Sequence, residues 1–226
     1  MQQGQSADAR IDLEKMIGPL SVAERKFLPA EFFAQGDVEL LREGIRVSII
    51  GSRDASNDGI RDARHISRAL SHEGAVIVSG LAVGIDSAAH REAIANNGMT
   101  IAVLGTALDV AYPPENAELL EEIKEDHLAV SQFASGDPVS RQNFPKRNRT
   151  MALISHATII IEAKQNSGTR HQGWAALRIG RPLFLMPRVA EDPAITWAEE
   201  MLRHGAKKLN VNEISDVYQA LEQLAT

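Results

Sequence analysis

The chain has 226 residues, of which 44% are hydrophobic, and a net charge of −6, which suits one large α/β domain with its own buried core. It contains no cysteine, and this excludes disulfides, thiolate metal ligands and cysteine nucleophiles and fits a reducing cytoplasm. The sequence has no run of about 18 apolar residues and its first ten residues lack the pattern of a signal peptide, so we expect no membrane partner.

Residues 1–44 are interpreted as a flexible tail with a short helical lead-in, and residues 45–226 as a single domain. Six short β-branched apolar runs in that domain predict strands at 46–50, 75–80, 100–105, 128–133, 157–163 and 182–187. Segments with apolar residues three or four positions apart separate them and predict helices. Because the strands are apolar throughout rather than alternating, both faces of the sheet are covered. The pattern predicts an α/β fold with a mostly parallel sheet and helices on both faces.

The first predicted helix has clear boundary signals. Ser56 or Asn57 can cap its N-terminus, and Gly74 stands where it would end. Near the C-terminus, residues 206–211 form a further strand candidate, and a last helix is predicted from about residue 212 to residue 224.

Turns rich in glycine and serine follow several predicted strands. They occupy residues 51–56, 79–86, 105–116 and 164–169. In a parallel sheet, ligands bind beyond the carboxyl ends of the strands, where glycines allow close approach and helix N-termini attract anions. Any one glycine is explained by its turn alone, but the set favours phosphate binding. The spacing matches neither a dinucleotide-binding fingerprint nor a Walker A motif, so the sequence predicts no nucleotide cofactor.

Basic residues are concentrated in one segment of this acidic chain. Residues 138–190 contain a single acid, Glu162, and nine basic side chains, which are Arg141, Lys146, Arg147, Arg149, Lys164, Arg170, Arg178, Arg181 and Arg188. The segment therefore carries about +8 and the rest about −14, which favours local anion binding. The alternative is that these charges are solvated helix surfaces, or that Arg147 and Arg149 pair with a loop acid such as Asp109 or Glu162.

The sequence "NFPKRNR" at residues 143–149 combines cations with an aromatic side chain. We predict that Pro145 begins a helix whose free N–H groups attract anions. Lys146 and Arg149 would then share one face, and Arg147 would point elsewhere. Phe144 could stack on a base, as aromatic residues do in single-strand binding proteins, or could act as a hydrophobic staple on the helix.

Five motifs in chain order resemble the DNA-processing protein A (Smf) family. They are "VSIIGSR", "VSGLAVGIDSAAH", "TIAVLGTALDVAYPPEN", "NFPKRNR" and "EAKQNSGT", and the resemblance covers roughly residues 27–224. It implies an extended Rossmann-like domain that binds single-stranded DNA, protects incoming strands and helps load the RecA recombinase during natural transformation. It also implies RecA and a second copy of the chain as partners.

The resemblance assigns nucleic-acid-binding roles residue by residue. Arg53 is expected to meet a phosphate, and the "FPKRNR" residues are expected to lie at the rim of the pocket. The complete set is Gly51, Ser52, Arg53, Ser79, Gly80, Phe144, Lys146, Arg147, Asn148, Arg149, Ser167 and Gly168. Contacts of this kind address the DNA backbone, so we expect binding that depends little on base sequence and strongly on salt.

Catalysis is less well supported than binding. The seven histidines form no H-x-x-x-H pair, and no metal site or other cofactor is predicted. Asp86 is interpreted as a helix cap with a surface or half-buried His90, whereas Glu162 could be a general base or could hold Arg149 or a turn. The alternative function is a nucleotide-binding, nucleotide-sensing or phosphoribohydrolase-like Rossmann protein. Gln172 stands where such a hydrolase has its carboxylate, and an amide cannot replace that group.

The last helix has an apolar stripe at helical spacing. It comprises Ile214, Val217, Tyr218, Leu221 and Leu224. The stripe is interpreted as packing on the sheet, and self-association into a homodimer is the alternative.

Overall fold

The computed structural model describes residues 9–223. In this part of the chain, nine strands form one sheet. They are β1 (Ala9–Arg10), β2 (Phe33–Gly36), β3 (Arg46–Ile50), β4 (Val76–Ser79), β5 (Thr100–Leu104), β6 (Leu128–Ser131), β7 (Ala157–Ile160), β8 (Leu183–Leu185) and β9 (Lys207–Lys208). Each of the six strands predicted within residues 45–226 is present.

Ten α-helices accompany the sheet in residues 9–223. They are α1 (Leu13–Ile17), α2 (Val22–Arg25), α3 (Asn57–His72), α4 (Ile85–Ala95), α5 (Ala117–Asp126), α6 (Asn143–Ile154), α7 (Thr169–Arg178), α8 (Pro187–Ala190), α9 (Thr196–Arg203) and α10 (Ser215–Glu222). The predicted boundaries of α3 are confirmed. Ser56 Oγ accepts the Gly59 N–H at 3.0 Å, and Gly74 follows the helix with a φ of +79°, a conformation that glycine adopts without strain.

The strand order places a switch point at the centre of the sheet. The order is β1-β2-β6-β5-β4-β3-β7-β8-β9, and β3 to β9 pair in parallel. From β3 the chain builds outward to β6, and it then crosses back to place β7 on the other side of β3. The carboxyl ends of β3 and β7 therefore flank the crevice in which ligands of such sheets bind. The predicted extended Rossmann-like α/β fold is confirmed.

Both faces of the sheet are covered, as the apolar strands require. On one face, α3, α4 and α10 pack on residues such as Val47, Ile49 and Ile159. On the other face, α6, α7 and α9 pack on residues such as Ile160 and Leu185. Successive strand residues alternate between these two clusters because strand side chains point to opposite faces.

The lead-in is part of the sheet. β2 pairs antiparallel with β6, and β1 pairs antiparallel with β2. Phe32 and Leu41 are fully buried against the core. The interpretation of this region as a helical lead-in missed these strands because they are short. In addition, β2 pairs with β6, which comes much later in the sequence. The predicted tail at residues 1–8 lies outside the described residues, and the domain boundary at residue 45 stays a prediction.

Helix α10 packs within the chain. Val217 is buried, and Ile214, Tyr218 and Leu221 pack against the α3 side of the core. Tyr218 Oη also donates to the Leu70 carbonyl at 3.4 Å. Packing of the stripe on the fold is therefore confirmed for these residues, and Leu224 lies outside the described range. Across residues 9–223, no helix is long and apolar enough to cross a membrane.

Candidate nucleic-acid interface

An open pocket lies at the switch point, between the loops that follow β3 and β7. Its volume is about 390 Å³. The lining comprises Ile50, Gly51, Ser52, Arg53, Asp54, Ala82, Asp86, Phe144, Arg147, Asn148, Met151, Lys164, Asn166, Ser167, Gly168, Thr169 and Gln172. Eight of the twelve predicted site residues are in this set, although they come from three separate parts of the sequence.

Arg53 and Phe144 form the cationic and aromatic wall of the pocket. The Arg53 guanidinium lies over the Phe144 ring, 5.1 Å from its centroid. The Tyr112 ring is 5.3 Å from the same ring. A Cβ atom at Gly105 would lie 2.7 Å from Phe144 Cδ1, so glycine at that position makes room for the ring. Phe144 therefore holds Arg53 at the pocket through a cation–π contact.

Arg147 lies beneath this wall rather than at the rim. It is only 5% exposed, and its Nη1 donates to the carbonyls of Gly80 and Val103 at 2.6 and 2.7 Å. The expected rim position is therefore wrong for Arg147, because the turn of α6 directs it inward onto the carboxyl ends of β4 and β5. Burial lowers its pKa to about 10, so the guanidinium remains charged at neutral pH and contributes positive potential from below.

The α7 N-terminus forms the opposite side of the pocket. Gly168 precedes the first helical residue, Thr169, and provides no side-chain cap. Ser167 Oγ accepts the Thr169 N–H at 3.3 Å, and Asn148 Nδ2 donates to the Gly168 carbonyl at 3.3 Å. This arrangement presents hydroxyl groups and a helix N-terminus to the pocket, both of which suit an anion.

A salt bridge crosses the mouth of the pocket. Lys164 Nζ, after β7, lies 2.6 Å from Asp54 Oδ2, after β3. The hydrogen bond between them, and then the charge of Asp54, raise the pKa of Lys164. The same hydrogen bond, and then the charge of Lys164, lower the pKa of Asp54. Both side chains are exposed, so the pair is weak, and a phosphate can replace Asp54 as the partner of Lys164. The sequence motifs did not single out this pair.

Two polar side chains close the bottom of the pocket. Gln172 is fully buried and its Nε2 donates to Ser48 Oγ at 2.8 Å. Asp86 is also buried, and this burial raises its pKa while the charge of Arg147 opposes the shift. Asp86 accepts the Ala82 N–H at 3.4 Å. Within residues 9–223, no group of three His, Asp or Glu is arranged to hold a metal ion.

The sequence of the chain matches a known protein family. The model of the DNA recombination-mediator protein A family matches residues 18–222. The chain belongs to this family. It is 38% identical to DNA processing protein DprA of Streptococcus pneumoniae over 189 residues, which are 84% of this chain and 66% of that relative. The chain thus spans about two thirds of the length of this curated relative.

Solved structures of the DNA recombination-mediator protein A family share the fold. DNA processing protein A of Streptococcus pneumoniae superposes with a TM-score of 0.82 and 33% identity, over 95% of this chain and 74% of that one. DNA processing protein A of Helicobacter pylori, which has a single-stranded DNA binding mode, superposes with a TM-score of 0.79 and 26% identity. That match covers 94% of this chain and 96% of the other.

Ser79 and Gly80, which belong to the motif "VSGLAVGIDSAAH", do not line the pocket. Ser79 is buried and its Oγ donates to the Ile49 carbonyl at 2.6 Å. Gly80 is buried as well, and a Cβ atom there would lie 2.3 Å from Arg147 Nη1. The expectation that both residues line the ligand site is corrected. Arg147 occupies the space beside Gly80, and the hydrogen bond of Ser79 links β4 to β3.

The remaining two cations of the "FPKRNR" motif lie outside the pocket. Lys146 and Arg149 are both exposed on α6, which agrees with the predicted shared face. α6 begins at Asn143, two residues before Pro145, so Phe144 lies inside its first turn. Within the part of the chain that the structure describes, Arg149 and Lys146 form no salt bridge, and the suggested pairing of Arg149 with an acid is not observed.

Glu162 and His90 have structural roles. Glu162 accepts the Ser56 N–H at 2.9 Å and the Ser56 hydroxyl at 2.5 Å, so it stabilises the N-terminus of α3 and does not hold Arg149. His90 is fully buried, and its Nδ1 lies 2.6 Å from Thr100 Oγ1. The expected surface or half-buried position of His90 is wrong, because its helix face packs on β5 and the side chain is fully buried. Burial lowers the pKa of His90 to about 3.

Proposed function

We propose that this chain binds single-stranded DNA along its sugar–phosphate backbone, in the pocket at the switch point. It does so in the cytoplasm. In this role it protects incoming strands and helps load the RecA recombinase during transformation and recombination. The observation that carries the proposal is the convergence of Arg53, Phe144 and the α7 N-terminus on one open pocket. These groups come from segments that are distant in the sequence.

The chemistry of the lining supports backbone binding. Arg53, Lys164 and the buried charge of Arg147 attract phosphates, and Phe144 supplies an aromatic surface. Two of the three amide side chains that line the pocket, Asn148 and Gln172, are engaged within the protein. Asn148 accepts from Arg147 Nε and donates to the Gly168 carbonyl, so binding depends little on base sequence. Release of counterions from the strand makes binding weaker at high salt.

A mononucleotide is the second candidate ligand. It is favoured by the size of the pocket, about 390 Å³, which is within the range of small-molecule sites. We propose binding without hydrolysis, because Gln172 buries its amide against Ser48 and cannot act as the general base or the charge-stabilising carboxylate of a phosphoribohydrolase.

Fluorescence anisotropy with labelled oligo-dT at two salt concentrations tests the proposal. The wild-type chain should bind oligo-dT more tightly than duplex DNA, and more weakly at high salt. Arg53→Glu should lower the affinity at least tenfold, since it reverses a charge at the pocket. Arg91→Glu is the matched control, because Arg91 is an exposed cation on α4, across the sheet. Normal strand binding by Arg53→Glu, or thymidine monophosphate binding with no strand binding, would contradict the proposal.

A homodimer and RecA contact are proposed on the family resemblance. Size-exclusion chromatography with light scattering measures the first. The second is measured by the rate at which RecA assembles on strands coated with this protein.

A further inference from the structure

A second group of cations lies on the outer face of α6 and α7, away from the pocket. Outside residues 141–178, most described Lys and Arg side chains pair with a carboxylate. Within that segment, Lys164 is the single described cation that does so. Arg149, Arg170 and Arg178 are exposed and form no such pair in residues 9–223. Their positive charges are therefore not neutralised by the acidic body of the protein.

Aromatic side chains alternate with these cations. His171, Trp174 and Arg178 stand at positions i, i+3 and i+7 of α7, so they share one helix face. The Trp174 ring lies edge-on to the His204 ring at 5.3 Å. Phe27 packs against alanines of α6 and α7, and the Arg149 guanidinium lies 6.0 Å from its centroid.

The charges of Arg149, Arg170 and Arg178 all act on His171. Partial burial, and then the charges of Arg170, Arg149 and Arg178, lower the pKa of His171. The positive charges of the three guanidinium groups therefore add at His171. At the far end of this face, the Glu200 side chain lines a cavity that Trp174 and Arg178 also line.

We propose that single-stranded DNA leaving the pocket continues along this outer face of α7, over His171, Trp174 and Arg178. The inference rests on the proposed strand binding in the pocket and extends its footprint. Helix α7 begins at the pocket, since Gly168 and Thr169 line it, and its ten residues run about 15 Å away from it. A positive surface with aromatic side chains follows the backbone of a single strand and stacks its bases. Of the possible anions, a DNA strand is favoured because the face is continuous with the pocket.

Oligonucleotide length separates the pocket from this face. We compare labelled oligo-dT of about 5 nucleotides, enough for the pocket, with one of about 20 nucleotides. The double variant Arg170→Glu/Arg178→Glu should bind the long oligonucleotide about tenfold more weakly, with a shallower salt dependence, and bind the short one within about twofold of wild type. Arg91→Glu should leave both affinities unchanged.

Tryptophan fluorescence gives an independent readout. Trp197 is buried at 5% exposure, and Trp197→Phe leaves Trp174 as the single tryptophan. The long oligonucleotide should then quench the Trp174 emission, and the short one should not.

The inference is overturned if the double variant binds the long oligonucleotide like wild type. It is also overturned if the variant loses both oligonucleotides equally, since the face would then act through the pocket. The proposed function fails separately, if Arg53→Glu binds both lengths normally.

Discussion

Substitution of Gly80 by alanine should destabilise the protein through Arg147. A Cβ atom at this position would lie 2.3 Å from Nη1 and 2.6 Å from Cζ of Arg147, so the guanidinium has to move. The move breaks its hydrogen bonds to the carbonyls of Gly80 and Val103. Each charge-assisted bond contributes about 1.5–3 kcal/mol, and alanine returns about 0.4–1 kcal/mol through the unfolded state. We expect a net loss of about 3 kcal/mol.

Urea unfolding measures this loss. With a slope of about 2–3 kcal/mol per molar, the midpoint should fall by about 1–1.5 M. Gly168→Ala is the matched control, because no atom lies within 4 Å of its added Cβ and its φ of −65° suits alanine. In an Arg147→Met background, Gly80→Ala should cost much less, since the clashing group is gone. An equal cost in both backgrounds, or no cost in the wild type, would refute the explanation.

Three further outcomes are expected. Asp54→Asn should tighten oligo-dT binding severalfold in anisotropy titrations, because it frees Lys164 and removes a negative charge from the pocket mouth; weaker binding would show that the pair organises the site. His90 has its pKa lowered to about 3, so the unfolded chain takes up its proton first as pH falls. The free energy of unfolding, measured with urea, should therefore fall by about 1.4 kcal/mol per pH unit between about pH 6 and pH 3, and His90→Gln should flatten this fall. Glu162→Gln should lower the stability by about 1–2 kcal/mol through the Ser56 contacts, and an unchanged midpoint would exclude this role.

The location of the pocket followed from sequence because it depends on local signals. Continuous apolar strands such as "RVSII" predict a parallel sheet, and a parallel sheet brings the loops after its strands to one edge. The turn residues Gly51, Ser52 and Arg53 and the α7 start at Gly168 were therefore predicted to lie together, and they do.

The direction of individual side chains was harder to predict. Helical spacing separated Arg147 from Lys146 and Arg149, yet it did not say which face was buried. Gly80 was interpreted as giving space to a ligand, because the sequence does not show which group occupies the space beside a glycine. The Lys164–Asp54 pair joins residues 110 positions apart, and no local pattern reports such a contact.

Sequence alone determined the class of fold, the edge of the sheet that carries the pocket and the segment that carries the positive charge. These properties follow from hydrophobic periodicity and composition, which the chain expresses residue by residue. Tertiary structure decided which cations are buried and which are free, because this depends on what packs above each helix face. It also decided that Arg53 rests on Phe144 and that Glu162 holds α3, since both contacts join segments that meet only when the sheet is complete.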